Sequence, residues 1–341
     1  MDNEERKGRG WIEDIPDEKD LQYHHEFYKI IAPAGHGIAP AIDLRYRCPP
    51  IYDQGQIGSC TANAIGSALR FARCQYLNED NHDYSKFQPS RLYIYWNERR
   101  MLEDNNAAVN RDTGARLRDG IKSLQAYGVC PEAGSSPNWP YPDTTVQRDA
   151  NGKQLPHPEI AEKGTDLWAN KASARNPPDA IKDAGAAYWQ KFLGTKLVYH
   201  RVAYGGETEQ EQETLLQQLR RCLSSGYPFI FGFNEYDNAD LNYKDDRGIN
   251  EDGVFTNPPP EGTPATGGHA VMAVGYEHDK ERFLIRNSWG PEWGITHGKK
   301  WASKDKTMAG HFYMPYSWFR RSGEGKCTND FWVIRVVGLE N

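Results

Sequence analysis

The chain changes its apolar pattern near its middle, and this change limits the folds that it can adopt. In the first half, apolar residues recur at helical spacing from residue 60, from Pro89 and between residues 115 and 127. One further helical run follows a capping box that begins at Thr208. Short β-like runs then alternate with glycine and proline loops, at residues 229–233, 270–276, 283–286, 311–314 and 331–337. This order predicts an α+β fold, with a helical lobe packed against an antiparallel β lobe.

Composition excludes several classes of protein. The 341 residues are 38% hydrophobic and 12% aromatic, which supports a packed core. The net charge of -6 offers no basic excess for nucleic acid, and no apolar run is long enough to span a membrane. We therefore expect neither partner. The first twenty residues are charged and contain no apolar signal segment, so we expect a cytoplasmic protein.

The cysteines and histidines do not form a metal-binding pattern. Six cysteines are scattered without a C-x-x-C pair, and ten histidines give no H-E-x-x-H motif. We expect no metal and no cofactor. Most of the cysteines are interpreted as small buried hydrophobic residues.

Cys60 differs from the other cysteines because it stands where a helix begins. Gly55 and Gly58 allow a bent backbone before it, and small residues recur every four positions after it, at Ala64, Ala68 and Ala72. The free N–H groups and the dipole of the first helical turn stabilise negative charge, which favours ionisation of a thiol. Cys60 is therefore a candidate nucleophile.

The second half of the chain supplies groups that can serve such a nucleophile. His269 is a candidate base at the start of an apolar strand. The two glycines before it leave room for another chain to approach, and we assign Gly268 to substrate binding. The short loop at residues 277–281 predicts a hairpin that brings Asn287 beside His269, where its amide can orient the imidazole. Trp289 can cover that hydrogen bond. Taken singly, His269 would be interpreted as a residue at a strand edge, Asn287 as a turn residue at a strand end and Trp289 as part of the core.

Gln54 is a candidate for stabilising an oxyanion. It lies on a glycine-flanked loop six residues before Cys60, and its amide is a neutral donor. The backbone N–H of Cys60 would be the second donor. On its own, Gln54 would be interpreted as a solvated loop residue.

Together these motifs resemble the papain-like (C1-type) cysteine peptidases, which use a Cys-His-Asn constellation. Four elements match in order: Gln54, Gly58-Ser59-Cys60, Gly268-His269-Ala270 and Asn287-Ser288-Trp289-Gly290-x-x-Trp293-Gly294. The resemblance implies a papain-like two-lobe fold, with an antiparallel β-barrel-like lobe and the active site in the cleft. It also implies an endopeptidase that hydrolyses peptides or proteins through an acyl-enzyme. The catalytic residues would be Cys60, His269, Asn287 and Gln54.

The chain departs from the family pattern at several points. Ile57 and Thr61 stand where the local signature has a cysteine and an aromatic residue, so the usual disulfide beside the nucleophile is not expected. The separation of Cys60 from His269 exceeds the roughly 130–150 residues of the family. Extra loops are therefore expected around 140–190 and 237–266, and a lysine-rich insertion at 295–309 follows the last motif.

The resemblance also suggests how the chain is divided. We assign 1–40 to an N-terminal extension, either a short leader or a segment that covers the cleft, because forty residues are too few for the family's long helical prosegment. The peptidase domain is assigned to 41–341, with the helical lobe mainly at 54–190 and the β lobe mainly at 195–341.

Thr113 and Gly114 precede the third predicted helix, where members of the family pair their backbone with extended substrate. We assign both to substrate binding, together with Gly268 and Trp289.

Three alternatives to this function stay open at this point. One is an acyl transferase with the same Cys-His chemistry, transglutaminase-like or a peptide ligase. Another is a non-catalytic binding protein on the same fold, and the third is a latent peptidase whose residues 1–40 occupy the cleft.

Overall fold

The computed structural model describes a helical lobe, a β lobe and part of the N-terminal extension. It covers residues 10–17, 20, 37–79, 87–102, 107–133, 137–141, 177–183, 185, 195–203, 206–238, 243–244, 249–295 and 303–338. Most of the extra loop expected at 140–190 lies outside these residues, as do residues 296–302 of the insertion. No helix among the described residues is long and apolar enough to cross a membrane.

The helices begin and end close to the predicted positions. Four α-helices have both ends among the described residues: α1 (Cys60–Leu77), α2 (Arg91–Arg100), α3 (Leu117–Tyr127) and α4 (Glu209–Ser224). The side chain of Ser90 caps α2 by accepting a hydrogen bond from the backbone N–H of Tyr93. Thr208 and Glu211 form the predicted capping box at the start of α4.

The start of α3 is corrected by two residues. The apolar pattern predicts a helix from Ala115, but α3 begins at Leu117. Ala115 is instead extended and pairs with Trp11 in a parallel bridge. The backbone N–H and carbonyl of Ala115 thus form hydrogen bonds with the N-terminal segment. The spacing of apolar residues cannot reveal such a pairing.

The β lobe is built on a seven-stranded antiparallel sheet among the described residues, in the order β2-β9-β3-β6-β7-β8 with β1 on β6. The α+β two-lobe class is confirmed, and the sheet is open, not closed into a barrel. Its strands are β1 (Ala41–Asp43), β2 (Thr195–Ala203), β3 (Phe229–Glu235), β6 (Gly267–Glu277), β7 (Arg282–Arg286), β8 (His311–Pro315) and β9 (Thr328–Gly338). A separate two-stranded pair joins β4 (Asp237–Asn238) to β5 (Tyr243–Lys244).

Helix α1 joins the two lobes. It packs against α2 and α3 on one side and against β6 and β9 on the other. Its first 13 residues, from Cys60 to Ala72, are all buried. Small side chains such as Ala64 and Ala68 allow this close approach. The start of α1 is therefore held against the sheet, at the end of β6 that carries His269.

A buried acid lies behind the start of α1. Glu98 is fully buried on α2, and its Oε1 accepts a hydrogen bond of 2.6 Å from the hydroxyl of Thr61. Burial raises the pKa of the Glu98 carboxyl to about 8. The folded protein therefore keeps a proton there that the unfolded chain releases above its ordinary pKa.

Replacing Glu98 with glutamine should flatten the dependence of stability on pH. Because the folded-state pKa is raised, the protonated form stabilises the fold at low pH, and this contribution declines as pH rises from about 5 to 8. The expected slope is about 1.4 kcal/mol per pH unit. Urea denaturation at pH 5.5 and 7.5 measures it. Glu98→Gln should lose less stability than the parent chain over this interval, and equal losses would contradict the assignment.

Candidate active site

The predicted base and orienting residue lie together at the ends of two paired strands. Strands β6 and β7 form the expected hairpin, in which Met272 opposes Arg286. His269 Nε2 lies 2.8 Å from Oδ1 of Asn287, the residue that follows β7. Because an amide oxygen only accepts, Nε2 carries the proton and Nδ1 is the basic nitrogen of the neutral ring. This contact selects one tautomer and one ring orientation.

Aromatic rings enclose the imidazole of His269. Trp289 stacks on it with ring centroids 4.6 Å apart, and Phe233 meets it edge-on at 5.6 Å. Trp293 packs edge-on against Trp289 at 5.3 Å. His269 is fully buried and Asn287 is 3% exposed, so their hydrogen bond is shielded from water. This is the position that the sequence predicts for Trp289 as a cover.

Gln54 connects the loop before α1 to the segment after β7. Its backbone N–H donates to the carbonyl of Ser288 at 2.8 Å, and its Oε1 accepts from the hydroxyl of Ser288 at 2.6 Å. Its Nε2 donates to the carbonyl of Ile57 at 2.9 Å. The amide group is thereby fixed against Ile57, three residues before Cys60. Its role at an oxyanion stays a prediction.

Cys60 begins α1 as predicted and is fully buried. Burial raises the pKa of its thiol to about 12, although backbone hydrogen bonds from Ala270 and Gly10 act in the opposite direction. The expected low pKa is therefore wrong for this arrangement, in which the thiol is neutral at pH 7. Ala270 directly follows His269, so the thiol lies against the backbone of the residue next to the histidine.

The cleft beside Cys60 is occupied by residues 10–17, which we call the strap. On the helical lobe, the carbonyl of Ala115 accepts from the N–H of Ile12 at 2.9 Å, and its N–H donates to the carbonyl of Gly10 at 2.7 Å. On the β lobe, the carbonyl of Gly268 accepts from the N–H groups of Gly10 and Trp11 at 3.2 and 3.1 Å. The strap thus bridges both lobes with the backbone pairing of an extended peptide.

Carboxylates anchor the strap through a buried ion cluster. Arg201 on β2 binds Asp14 at 3.1 Å, Asp20 at 3.3 Å and Asp330 at 3.2 Å. Arg118 on α3 pairs with Asp20. The side chains of all five residues are less than 10% exposed. Burial raises the pKa of both Asp14 and Asp330, each of which lies close to the other's carboxylate.

The residues assigned to substrate binding fall in different places. Gly268 contacts the strap backbone, and a Cβ on Gly114 would lie 2.2 Å from the Gly10 carbonyl oxygen. The hydroxyl of Thr113 donates to the Gly114 carbonyl. Trp289 stacks on the histidine. Ala115 also binds the strap backbone; it was not predicted to do so, although its place directly after Gly114 could have indicated it.

The expectation for the cysteines agrees with the structure. All six are buried free thiols, so Cys60 has no disulfide beside it. Burial raises the pKa of the other five thiols as well.

Known proteins resemble this chain in sequence. Residues 198–310 match the model of the papain family of cysteine proteases. An uncharacterized peptidase C1-like protein of Acanthamoeba polyphaga mimivirus is 30% identical over 285 residues, which are 84% of this chain and 69% of that protein. A thiol protease, aleurain-like, of Arabidopsis thaliana is 54% identical over 120 residues, 34% of this chain and 29% of its own length.

A solved structure resembles the whole chain. Xylellain, a cysteine protease from Xylella fastidiosa, is 33% identical and superposes with a TM-score of 0.65 over 98% of both chains. These similarities agree with the two-lobe fold. The chain belongs to the papain (C1) family and is a cysteine-type peptidase.

Proposed function

We propose that the protein is a latent cysteine endopeptidase that acts through an acyl-enzyme on Cys60. The observation that carries this proposal is the 2.8 Å contact between His269 and Asn287, at the strand end that meets the start of α1. It provides an oriented base beside a thiol, which is what nucleophilic catalysis by cysteine requires. The substrates of such an enzyme are peptides or proteins.

In the proposed reaction, Nδ1 of His269 takes the thiol proton and Cys60 Sγ bonds to the carbonyl carbon of the substrate. The carbonyl oxygen becomes an oxyanion, which accepts hydrogen bonds from the Cys60 backbone N–H and the side-chain amide of Gln54. Such donors contribute about 3 kcal/mol each in comparable sites. His269 then protonates the leaving amine, and the acyl-enzyme forms. Water activated by the same imidazole hydrolyses the thioester.

The strap makes the enzyme latent in this proposal. While the strap is in place, the thiol is buried and neutral, and the backbone groups of Ala115 and Gly268 are already used. Its departure would expose the thiol to water, and hydration together with the positive end of α1, where Cys60 already lies, would favour the thiolate. The N-terminal extension would then act as a cleft-covering segment.

Product analysis with a strap-open chain tests the function. The full-length variant Gly10→Leu serves, because a side chain at position 10 collides with the loop before Cys60. We expect it to cleave internal peptide bonds of a denatured protein, and Cys60→Ala in the same background should not. If an added amine is incorporated in preference to water, the protein is an acyl transferase and the proposal of hydrolysis fails.

Weakening the buried anchor should also open the strap. Asp14 binds Arg201 and accepts from the indole N–H of Trp332 at 2.8 Å. Removing one partner of a buried ion pair costs about 3–5 kcal/mol. Asp14→Ala should therefore raise the rate of Cys60 alkylation at pH 7 by roughly 10- to 100-fold, because part of the lost free energy destabilises the state in which the strap is bound.

Asp17 offers a matched control on the same strap. It pairs with Lys122 at 3.4 Å, and both side chains are about one third exposed. Exposed pairs contribute about 0–1 kcal/mol. Asp17→Ala should leave the alkylation rate of Cys60 within a few-fold of the parent chain. Equal rates for the Asp14 and Asp17 variants would show that the buried cluster does not hold the strap.

A further inference from the structure

The side chain of Trp11 fills a pocket on the β lobe beside the proposed catalytic residues. The pocket floor is formed by three neighbouring strands, β9, β3 and β6. Trp11 is 8% exposed, and its backbone N–H is bound by Gly268, the residue before His269. A peptide that replaces the strap on Gly268 would present a side chain to the same pocket.

Two glycines leave enough space in this pocket for an indole ring. A Cβ on Gly232 of β3 would lie 1.9 Å from Cε2 of Trp11, and a Cβ on Gly268 would lie 2.6 Å from Cε3. Glycine weakens the middle of a strand because it offers no side chain for packing. Gly232 and Gly268 therefore reserve space for a large flat ring on the surface of the sheet.

A carboxylate at the end of the pocket meets the indole N–H. Nε1 of Trp11 donates to Oδ2 of Asp330 at 3.1 Å, and Asp330 is 1% exposed. Asp330 has a φ of 60°, a left-handed conformation that is uncommon within a strand. The pairing of β3 with β9 shifts register between Ile230 and Gly232, opposite this point. A β-bulge changes the direction of the side chains beside it, and here it directs the carboxylate of Asp330 into the pocket.

We propose that the Trp11 pocket is a specificity site that selects a tryptophan of the substrate, with Asp330 as the residue that reads the indole N–H. This inference rests on the proposed function and names the class of peptide that the cleft prefers. Ring size alone would admit phenylalanine or leucine. The buried acceptor distinguishes them, because a side chain without a donor would leave the desolvated carboxylate with one hydrogen bond fewer.

Asp330 keeps its cationic partner when the strap leaves, and the departure of Asp14 removes a carboxylate that helps to raise its pKa. Its Oδ1 is bound by Arg201 at 3.2 Å, and both residues belong to the body of the β lobe. The carboxylate therefore serves as a strong acceptor for a neutral donor, which favours tryptophan over lysine or arginine at this site.

The test compares peptide substrates on the full-length Gly10→Leu enzyme. A single tryptophan is moved through the positions around the cleaved bond, and at its best position it is replaced by 3-benzothienylalanine, a ring of the same shape that lacks the N–H. We expect kcat/KM to fall about 10-fold or more for this replacement, as for the loss of a hydrogen bond to a charged group. Equal kcat/KM for the two peptides would overturn the proposal.

Two enzyme variants locate the effect. Asp330→Asn keeps an acceptor and tolerates the left-handed backbone, so the preference for tryptophan over benzothienylalanine should shrink by several-fold. Gly232→Ala places a methyl group in the pocket and should reduce the ratio of kcat/KM for tryptophan to that for alanine peptides. Unchanged ratios in both variants would show that the selectivity arises elsewhere.

The outcomes separate this inference from the proposed function. Absence of cleavage of every peptide, with Cys60 intact, would refute the peptidase mechanism. In that case, protection of Cys60 from alkylation still reports occupancy of the pocket. The tryptophan peptide should protect Cys60 at lower concentration than the benzothienylalanine peptide, and equal protection would refute the specificity site.

Discussion

Replacing His269 with alanine in the strap-open Gly10→Leu chain should lower kcat/KM for peptide hydrolysis by about 10⁴-fold or more. The imidazole is proposed to transfer a proton in both halves of the reaction, and it also activates the thiol. Loss of general acid–base catalysis costs about 10²–10⁴-fold, and removal of one member of a cooperating set costs more. Initial rates with a fluorogenic peptide measure the effect.

His278 is the matched control for this substitution. It lies in the turn at the opposite end of the same β6–β7 hairpin, where its side chain is exposed. His278→Ala should keep kcat/KM within about two-fold, since exposed surface substitutions have small effects on stability. Retention of most activity by a folded His269→Ala chain would remove His269 from the proposed mechanism.

Replacing Gly10 with leucine should convert the latent enzyme into an active one without proteolysis. A Cβ on Gly10 would lie 1.7 Å from the carbonyl oxygen of Gly58, which is backbone of the loop before Cys60. Overpacking of this kind costs about 1–3 kcal/mol, so strap opening should become about 10- to 100-fold more frequent. Peptidase activity of the full-length chain and alkylation of Cys60 should rise together by this factor.

Ile15 is the matched position for this gain of activity. It belongs to the same strap, but its side chain is 61% exposed. Ile15→Ser should leave both activity and thiol reactivity at the level of the parent chain. If Gly10→Leu is equally latent while its melting temperature is unchanged, the strap does not control access to Cys60.

The sequence predicted most of the fold because its elements carry local signals. The capping box at Thr208 and the apolar runs of β3, β6, β7, β8 and β9 specify these elements without tertiary information. Strand β2 was not predicted, because two of its buried residues, His200 and Arg201, are polar and do not mark a buried position in the sequence. Arg201 can be buried because it pairs with carboxylates that are distant in the chain. The sequence pattern of β2 therefore does not resemble that of a core strand.

The predicted contact between His269 and Asn287 is present because one hairpin determines its geometry. The spacing of His269 and Asn287 around a short turn was sufficient to bring them together. The chemistry of Cys60 was less predictable, since the pKa of its thiol depends on how deeply the folded chain buries it and on backbone contacts with Ala270 and Gly10, which are distant in the sequence. Trp11 also gave no sign of its pocket, because that pocket depends on Gly232 and Asp330 from separate strands.

The central claim is that Cys60 is a nucleophile activated by His269, and mapping of alkylated cysteines tests it most directly. The Gly10→Leu chain is treated briefly with iodoacetamide at pH 7, and the modified residue is identified by mass spectrometry. We predict that Cys60 is labelled well ahead of the five other buried thiols, and that this advantage is lost in the additional variant His269→Ala. Equal labelling of all six cysteines, or labelling of Cys60 that persists without His269, would contradict the account.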